Sequence, residues 1–151
     1  MPAKQLKEFL EASGVRFVSV PHDLAYTAQG VAKSAHIPGH EVAKTVMVRV
    51  DGRLAMAVVP APRTVHVDRL RKAAGAVSVE LAREADFRAD FPGCELGAMP
   101  PFGNLYHMDV FVDPRLAEDE EIAFNAGTHS EVVRMKYKDF ERLVKPTLVE
   151  L

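Results

Sequence analysis

At 151 residues, with 48% apolar and 26% charged positions, the chain suits one globular domain over residues 1–151 and excludes disordered or fibrous classes. Its 19 Lys and Arg against 21 Asp and Glu leave a formal charge of −2, which excludes the broad basic coat of a nonspecific nucleic-acid binder. No apolar run approaches the roughly 18–20 residues that span a bilayer.

The N-terminus shows no signal-peptide pattern, and Cys94 is the one cysteine, so no internal disulfide can form. These features lead us to expect a cytoplasmic location, without membrane or specific DNA partners.

In chain order, Pro2 opens a helical pattern with Leu6, Phe9 and Leu10 on one face, stopped at Gly14. Residues 15–20 read as a strand. Thr27 is placed to N-cap a short helix to Ala35, closed by Pro38-Gly39. Residues 45–50 and 54–59 flank Asp51-Gly52, a two-residue hairpin turn of the primed type. Asp68 is expected to cap a helix ending at Gly75, residues 77–81 form a strand, and 82–91 a short helix. After a loop at 92–103 come strands at 105–112, 121–124 and 130–135, then a helix at 138–144 that Pro146 ends. No regular βαβ series appears. The pattern predicts an α/β (α+β) domain, a curved mixed sheet of six or seven strands with short helices packed around it.

The hairpin register sets Lys44 against Val59, Val46 against Ala57, Val48 against Ala55 and Val50 against Arg53. Met47, Leu54, Met56 and Val58 then share a bulky face. The opposite face carries Lys44, Val46, Val48, Ala55, Ala57 and Val59, small residues expected to leave room above the sheet. A lysine at the end of such a face can floor a pocket, where its ammonium needs water, a carboxylate or an anionic ligand; otherwise it reaches solvent.

Two further segments offer chemistry. Gly97-Ala98-Met99-Pro100-Pro101-Phe102-Gly103 fixes backbone shape and gives access to main-chain N–H donors, as an oxyanion or phosphate site requires, or it serves as a rigid connection. Asn125-Ala126-Gly127-Thr128-His129-Ser130 places a histidine beside a glycine turn and two hydroxyls, either to move a proton or as a plain turn. Cys94 has nothing nearby in sequence to activate it. His36 and His40, His66 and Asp68, and His107 and Asp109 lack the spacing of a metal site, so no metal is expected. The acidic run 117–121 and the cations Arg134, Lys136, Lys138, Arg142 and Lys145 read as solvated faces.

Three separated segments, Val42-Ala43-Lys44-Thr45-Val46, Gly97-Ala98-Met99-Pro100-Pro101 and residues 125–130, together resemble the YbaK/ProX family of trans-acting aminoacyl-tRNA deacylases, related to the INS editing domain of bacterial prolyl-tRNA synthetase. The loop matches that family's Gly-x-x-x-Pro pattern from Gly97 to Pro101, and the resemblance runs from the first helix to Pro146.

The resemblance implies hydrolysis of the ester of mischarged tRNA by a free-standing, cofactor-free enzyme that meets the acceptor end, with an aminoacyl-tRNA synthetase as a further partner. It assigns catalysis to Lys44, Gly97 and His129. Substrate binding falls to Tyr26, Thr27, Thr45, Ala98, Met99, Pro100, Pro101, Asn125, Gly127 and Thr128. Thr45 after the lysine is nearer the YbaK-like branches than those with Asn there. A noncatalytic aminoacyl- or nucleotide-binding module and a small-molecule esterase are the competing readings.

Overall fold

Asp51 and Gly52 both take positive φ, 50° and 83°, the backbone that a primed two-residue turn demands. The turn joins β2 (Ala43–Val50) to β3 (Arg53–Pro60) in the predicted register, Lys44 opposite Val59 and Val50 opposite Arg53. A computed structural model describes residues 2–22, 28–95 and 97–151. Around the hairpin it shows α1 (Pro2–Ala12), β1 (Phe17–Pro21), α2 (Ala28–Ala35), α3 (Val67–Ala74), β4 (Val79–Leu81) and α4 (Glu84–Phe87). Beyond them lie β5 (Asp109–Val112), β6 (Glu121–Asn125), β7 (Glu131–Lys136), α5 (Tyr137–Val144) and the two-residue β8 (Thr147–Leu148).

The architecture is mixed α/β, but the described strands form two sheets where one was expected. One has the order β1-β7-β6, the other β4-β2-β3-β5-β8. Within the larger sheet β5 runs parallel to β3 and to β8, while β2 is antiparallel to β3 and β4. A single parallel bridge, Val42 to Ala123, connects the start of β2 to β6. The main core lies between the sheets. Phe102 is fully buried at its centre, with the rings of Phe124 and Phe140 at 5.4 and 5.5 Å. Leu6 and Leu10 of α1 and Met47 and Met56 of the hairpin fill the same cluster.

The opposite face of the hairpin is not open. Leu70 of α3 and the C-terminal Val149 and Leu151 pack onto Val48, Ala55, Ala57 and Val59. Small side chains there let a helix approach closely; they do not make a cavity.

Three other expectations are corrected. His66, not Asp68, occupies the N-cap of α3, so Asp68 lies inside the first turn, where its charge still favours the helix dipole. The helix expected over 82–91 is divided into α4 and a 3-10 turn, Arg88–Asp90. The strand expected from 105 begins only at Asp109. Residues Gly103–Leu105 form a 3-10 turn, Tyr106 and Met108 both donate to the Gly103 carbonyl, and His107 takes φ 58°. Gly103 is required here, because a Cβ at this position would collide with the Met108 carbonyl.

Candidate active site

β4 pairs with β2 only from Val48 to Val50, so the first half of β2 has an edge that no strand among the described residues covers. Along it lies a cavity of about 580 Å³, within the range of small-molecule sites. Lys44, Thr45 and Met47 of β2 form one wall, and Gly97, Met99 and Asn125 contribute to the others. The cavity runs along the strand edge and not over the small-residue face, since Ala55 and Ala57 are sealed elsewhere.

Lys44 is half-buried, and its Nζ donates to the main-chain carbonyl of Arg63 at 2.6 Å. Burial pushes its ammonium below the usual lysine value. One of its three protons is committed to Arg63, which leaves two for a ligand. Thr45 Oγ1 and Asn125 Oδ1 are buried and have no hydrogen-bond partner among the described residues. Leaving a buried polar atom unmade costs about 1–3 kcal/mol, so two at one cavity mark positions that a polar ligand would satisfy.

Three hydrogen bonds fasten the loop 95–99 to the turn 125–129, and a fourth closes the loop on itself from Ala98 to Glu95. Glu95 N–H donates to Gly127 O at 2.8 Å, Gly127 N–H to Ala98 O at 2.9 Å and Ala98 N–H to Glu95 O at 3.0 Å. The third bond between loop and turn runs from His129 N–H to Glu95 Oε2 at 2.9 Å. Gly97 bulges from this frame at φ 82°, a conformation that favours glycine. The Ala98 N–H is therefore occupied. Among the described residues the N–H groups of Gly97 and Met99 have no acceptor, and both residues line the cavity. Pro100 and Pro101 carry no N–H.

The structure thus brings Lys44, Thr45, Gly97, Met99 and Asn125 to one cavity and separates the rest. Ala98, Pro100 and Pro101 are buried away from it and hold the loop's shape. Gly127 is buried and acts as the clamp on that loop. Thr128 borders a different concavity, beside Lys4, Lys7 and Glu131. His129 is neither solvent-exposed nor on the cavity wall. Only 5% exposed, it lies beneath the loop, with Cε1 3.5 Å from where a Cβ on Gly97 would stand and Nε2 4.0 Å from Glu95 Oε2. Tyr26 and Thr27 lie outside the described residues.

Sequence reading missed Glu95, which ties the loop to the turn, and the apolar wall from Leu81, Ala82 and Phe87. No motif marks Glu95; its role comes from a contact spanning 34 positions. Burial pushes the Cys94 thiol up, against a weaker opposing effect of the Tyr106 hydroxyl, which makes it a poor nucleophile near neutrality. Among the described residues no three His, Cys, Asp or Glu side chains gather as metal ligands.

An ammonium, main-chain donors and two buried polar atoms without partners among the described residues surround a small apolar-walled cavity, an arrangement suited to a polar ligand with acceptor oxygens. Residues 22–143 match the aminoacyl-tRNA editing domain, and the chain belongs to that family. It is an aminoacyl-tRNA deacylase, a hydrolase whose substrate is the aminoacyl ester of tRNA. The chain is 28% identical to the multifunctional Ser/Thr-tRNA deacylase ProXp-y of Escherichia coli K12, over 97% of this chain and 90% of that protein. Its fold matches a crystal structure described as a trans-editing enzyme for prolyl-tRNA synthetase (TM-score 0.83, 18% identity, 99% and 96% of the two chains). It also matches part of a protein described as acting in signal transduction, from Marinobacter aquaeolei VT8 (TM-score 0.72, 15% identity, 95% of this chain but 29% of that one).

Proposed function

We propose that the chain removes seryl and threonyl groups from tRNAs that carry them wrongly, acting in trans at the cavity along the β2 edge. The carrying observation is the pair Thr45 and Asn125, which line a cavity with Lys44 and whose buried Oγ1 and Oδ1 have no partner among the described residues. A small hydroxylated amino acid supplies the donors and acceptor that these atoms lack, and the ProXp-y relative is named for those amino acids.

The reaction needs no protein nucleophile, because an aminoacyl ester is already activated. A water oxygen attacks the ester carbonyl, and the carbonyl oxygen becomes an oxyanion. Gly97 and Met99 N–H donate to that oxygen, and the Lys44 ammonium binds the same side of the substrate. The tetrahedral intermediate then expels the ribose oxygen, which takes up the proton lost by water, giving free amino acid and tRNA. Lys44 acts in this scheme through its ammonium, as a donor and not as a base. In this reading a ribose hydroxyl of the tRNA's terminal nucleotide helps to hold the water, a role that the likeness to the editing family suggests. Glu95, Gly127 and His129 are positioning residues that fix the Gly97 loop. The substrate is met at its acceptor end, in the cytoplasm, alongside the synthetase that misacylates it.

The test is incubation with a panel of tRNAs, each charged with a labelled noncognate amino acid. Release of serine and threonine ahead of alanine and valine is expected. Well-folded protein that releases neither overturns this specificity.

A further inference from the structure

A second, smaller cavity of about 240 Å³ is lined by basic side chains from three separate segments. Arg63 and His66 come from the stretch after β3, Arg69 from α3 and Arg115 from the 3-10 turn Pro114–Glu118. Arg115 is already engaged, with Nη1 3.0 Å from Oδ2 of the buried Asp113, which also accepts the Leu151 N–H at 3.1 Å. Arg63 and Arg69 make no ion pair among the described residues.

The volume is below the roughly 300 Å³ at which small-molecule sites begin, too little for a base with its ribose but enough for a phosphodiester. Guanidinium forks match phosphate oxygens in shape and charge. One short stretch of chain links the two cavities: Ala61 lines the first and Arg63 the second, and Lys44 Nζ is hydrogen-bonded to Arg63 O. Asp113 accounts for Arg115, which leaves Arg63 and Arg69 at one hollow with no ion pair among the described residues to explain their meeting, in a chain of net charge −2.

We infer that this cavity binds a backbone phosphate of the tRNA's 3′ strand, just before the aminoacylated nucleotide. The inference rests on the deacylase reading and adds to it a fixed point for the strand. With the phosphate held by Arg63 and Arg69, the terminal ester falls at Lys44, whose position depends on the same segment. Recognition here is of the backbone, so it carries no sequence preference.

The test uses a fluorescein-labelled RNA minihelix ending in CCA, with binding followed by anisotropy from about 50 to about 200 mM salt. Arg63→Gln with Arg69→Gln is expected to weaken binding about tenfold at low salt and to flatten the slope of log K against log salt by about 0.7. Arg53→Gln, an equal charge change per residue at the far end of the hairpin, is the control and keeps the wild-type slope. Arg115 is left intact because its removal strands the Asp113 carboxylate in the core. Melting curves show whether each variant is folded. A folded double variant that binds like the Arg53→Gln control overturns the phosphate site. If wild type still deacylates tRNA, only this inference falls. Wild type that binds no minihelix and releases no amino acid overturns both readings.

Discussion

Lys44 Nζ donates to the Arg63 carbonyl at 2.6 Å, so the ammonium at the head of β2 is held by the segment that leaves β3. The hairpin brings the two ends together: Lys44 lies opposite Val59, and Arg63 follows four residues after Val59. The bond aims a long, flexible side chain along the strand edge, and this reduces the entropy lost when substrate arrives. Burial at the same place opposes the charge, so the ammonium is kept where it costs the fold something.

Lys44→Ala is therefore expected to lower deacylation roughly 10- to 150-fold, corresponding to a charge-assisted hydrogen bond of about 1.5–3 kcal/mol, with melting temperature equal to or above wild type. Lys44→Arg should rescue little, because the planar fork does not replace a compact ammonium. The pH dependence has a definite sign. The folded-state pKa is lowered, so a charge-dependent rate falls on the alkaline side before an ordinary lysine titrates. Stability moves the other way, rising as pH passes from the lowered value toward 10.5, where the unfolded chain still holds the proton. Lys44→Met should abolish both dependences. Near-normal activity in Lys44→Ala removes this lysine from the site.

Gly97→Ala tests the loop. The added Cβ would meet His129 Cε1 at 3.5 Å, an ordinary contact, so the cost comes from φ 82° and is about 1–2 kcal/mol. Because the N–H groups of Gly97 and Met99 turn with the backbone, kcat should fall more than tenfold while KM changes little. His129→Ala, acting through packing beneath the loop, should lower kcat without removing a titration between roughly pH 5 and 8. A pH–rate limb that disappears in His129→Ala would instead make the imidazole a proton carrier.

The hairpin was legible to the register because Asp51-Gly52 admits one favoured turn and alternation on either side fixes which residues face each other. The small-residue face was legible too, but its meaning was not. Whether Ala55 and Ala57 face a ligand or a helix depends on Leu70 and Val149, which are distant in sequence. The loop 97–101 was recognisable by its glycine and prolines, yet its composition could not reveal that Ala98 N–H is taken by Glu95 O while Gly97 and Met99 are left to donate. Histidine beside a glycine turn suits proton transfer, but nothing local in the sequence shows that His129 is buried under the loop and not on the cavity wall.

Phosphate contacts should be few. A −2 chain has no broad basic surface, and each neutralised single-strand phosphate adds about −0.7 to the salt slope. Affinity for uncharged tRNA measured across salt should therefore give a slope corresponding to fewer than about eight contacts. A steeper slope would require recognition of the tRNA body by a surface other than the two cavities.

Thr45 and Asn125 separate a binding role from a structural one, because the two predict opposite signs. A polar atom that supports the fold destabilises it when removed. The buried Thr45 hydroxyl has no partner among the described residues and so costs stability by being there; Thr45→Val, which keeps the shape and discards the oxygen, should leave the melting temperature unchanged or raise it. Loss of a ligand hydrogen bond should appear only with substrate, as about 5- to 15-fold in kcat/KM for a neutral bond of about 1–1.5 kcal/mol. The discrimination test lies in the choice of ester. If Thr45 meets the substrate's side-chain hydroxyl, Thr45→Val weakens hydrolysis of seryl-tRNA but hardly affects alanyl-tRNA, and the ratio between them contracts. Asn125→Leu should act likewise, since Asn125 lines the same cavity and its buried Oδ1 has no partner among the described residues. An equal loss on both esters would move the contact to the α-ammonium or the ribose, which the two substrates share. A fall in melting temperature with no change in the ratio would make both residues part of the fold alone.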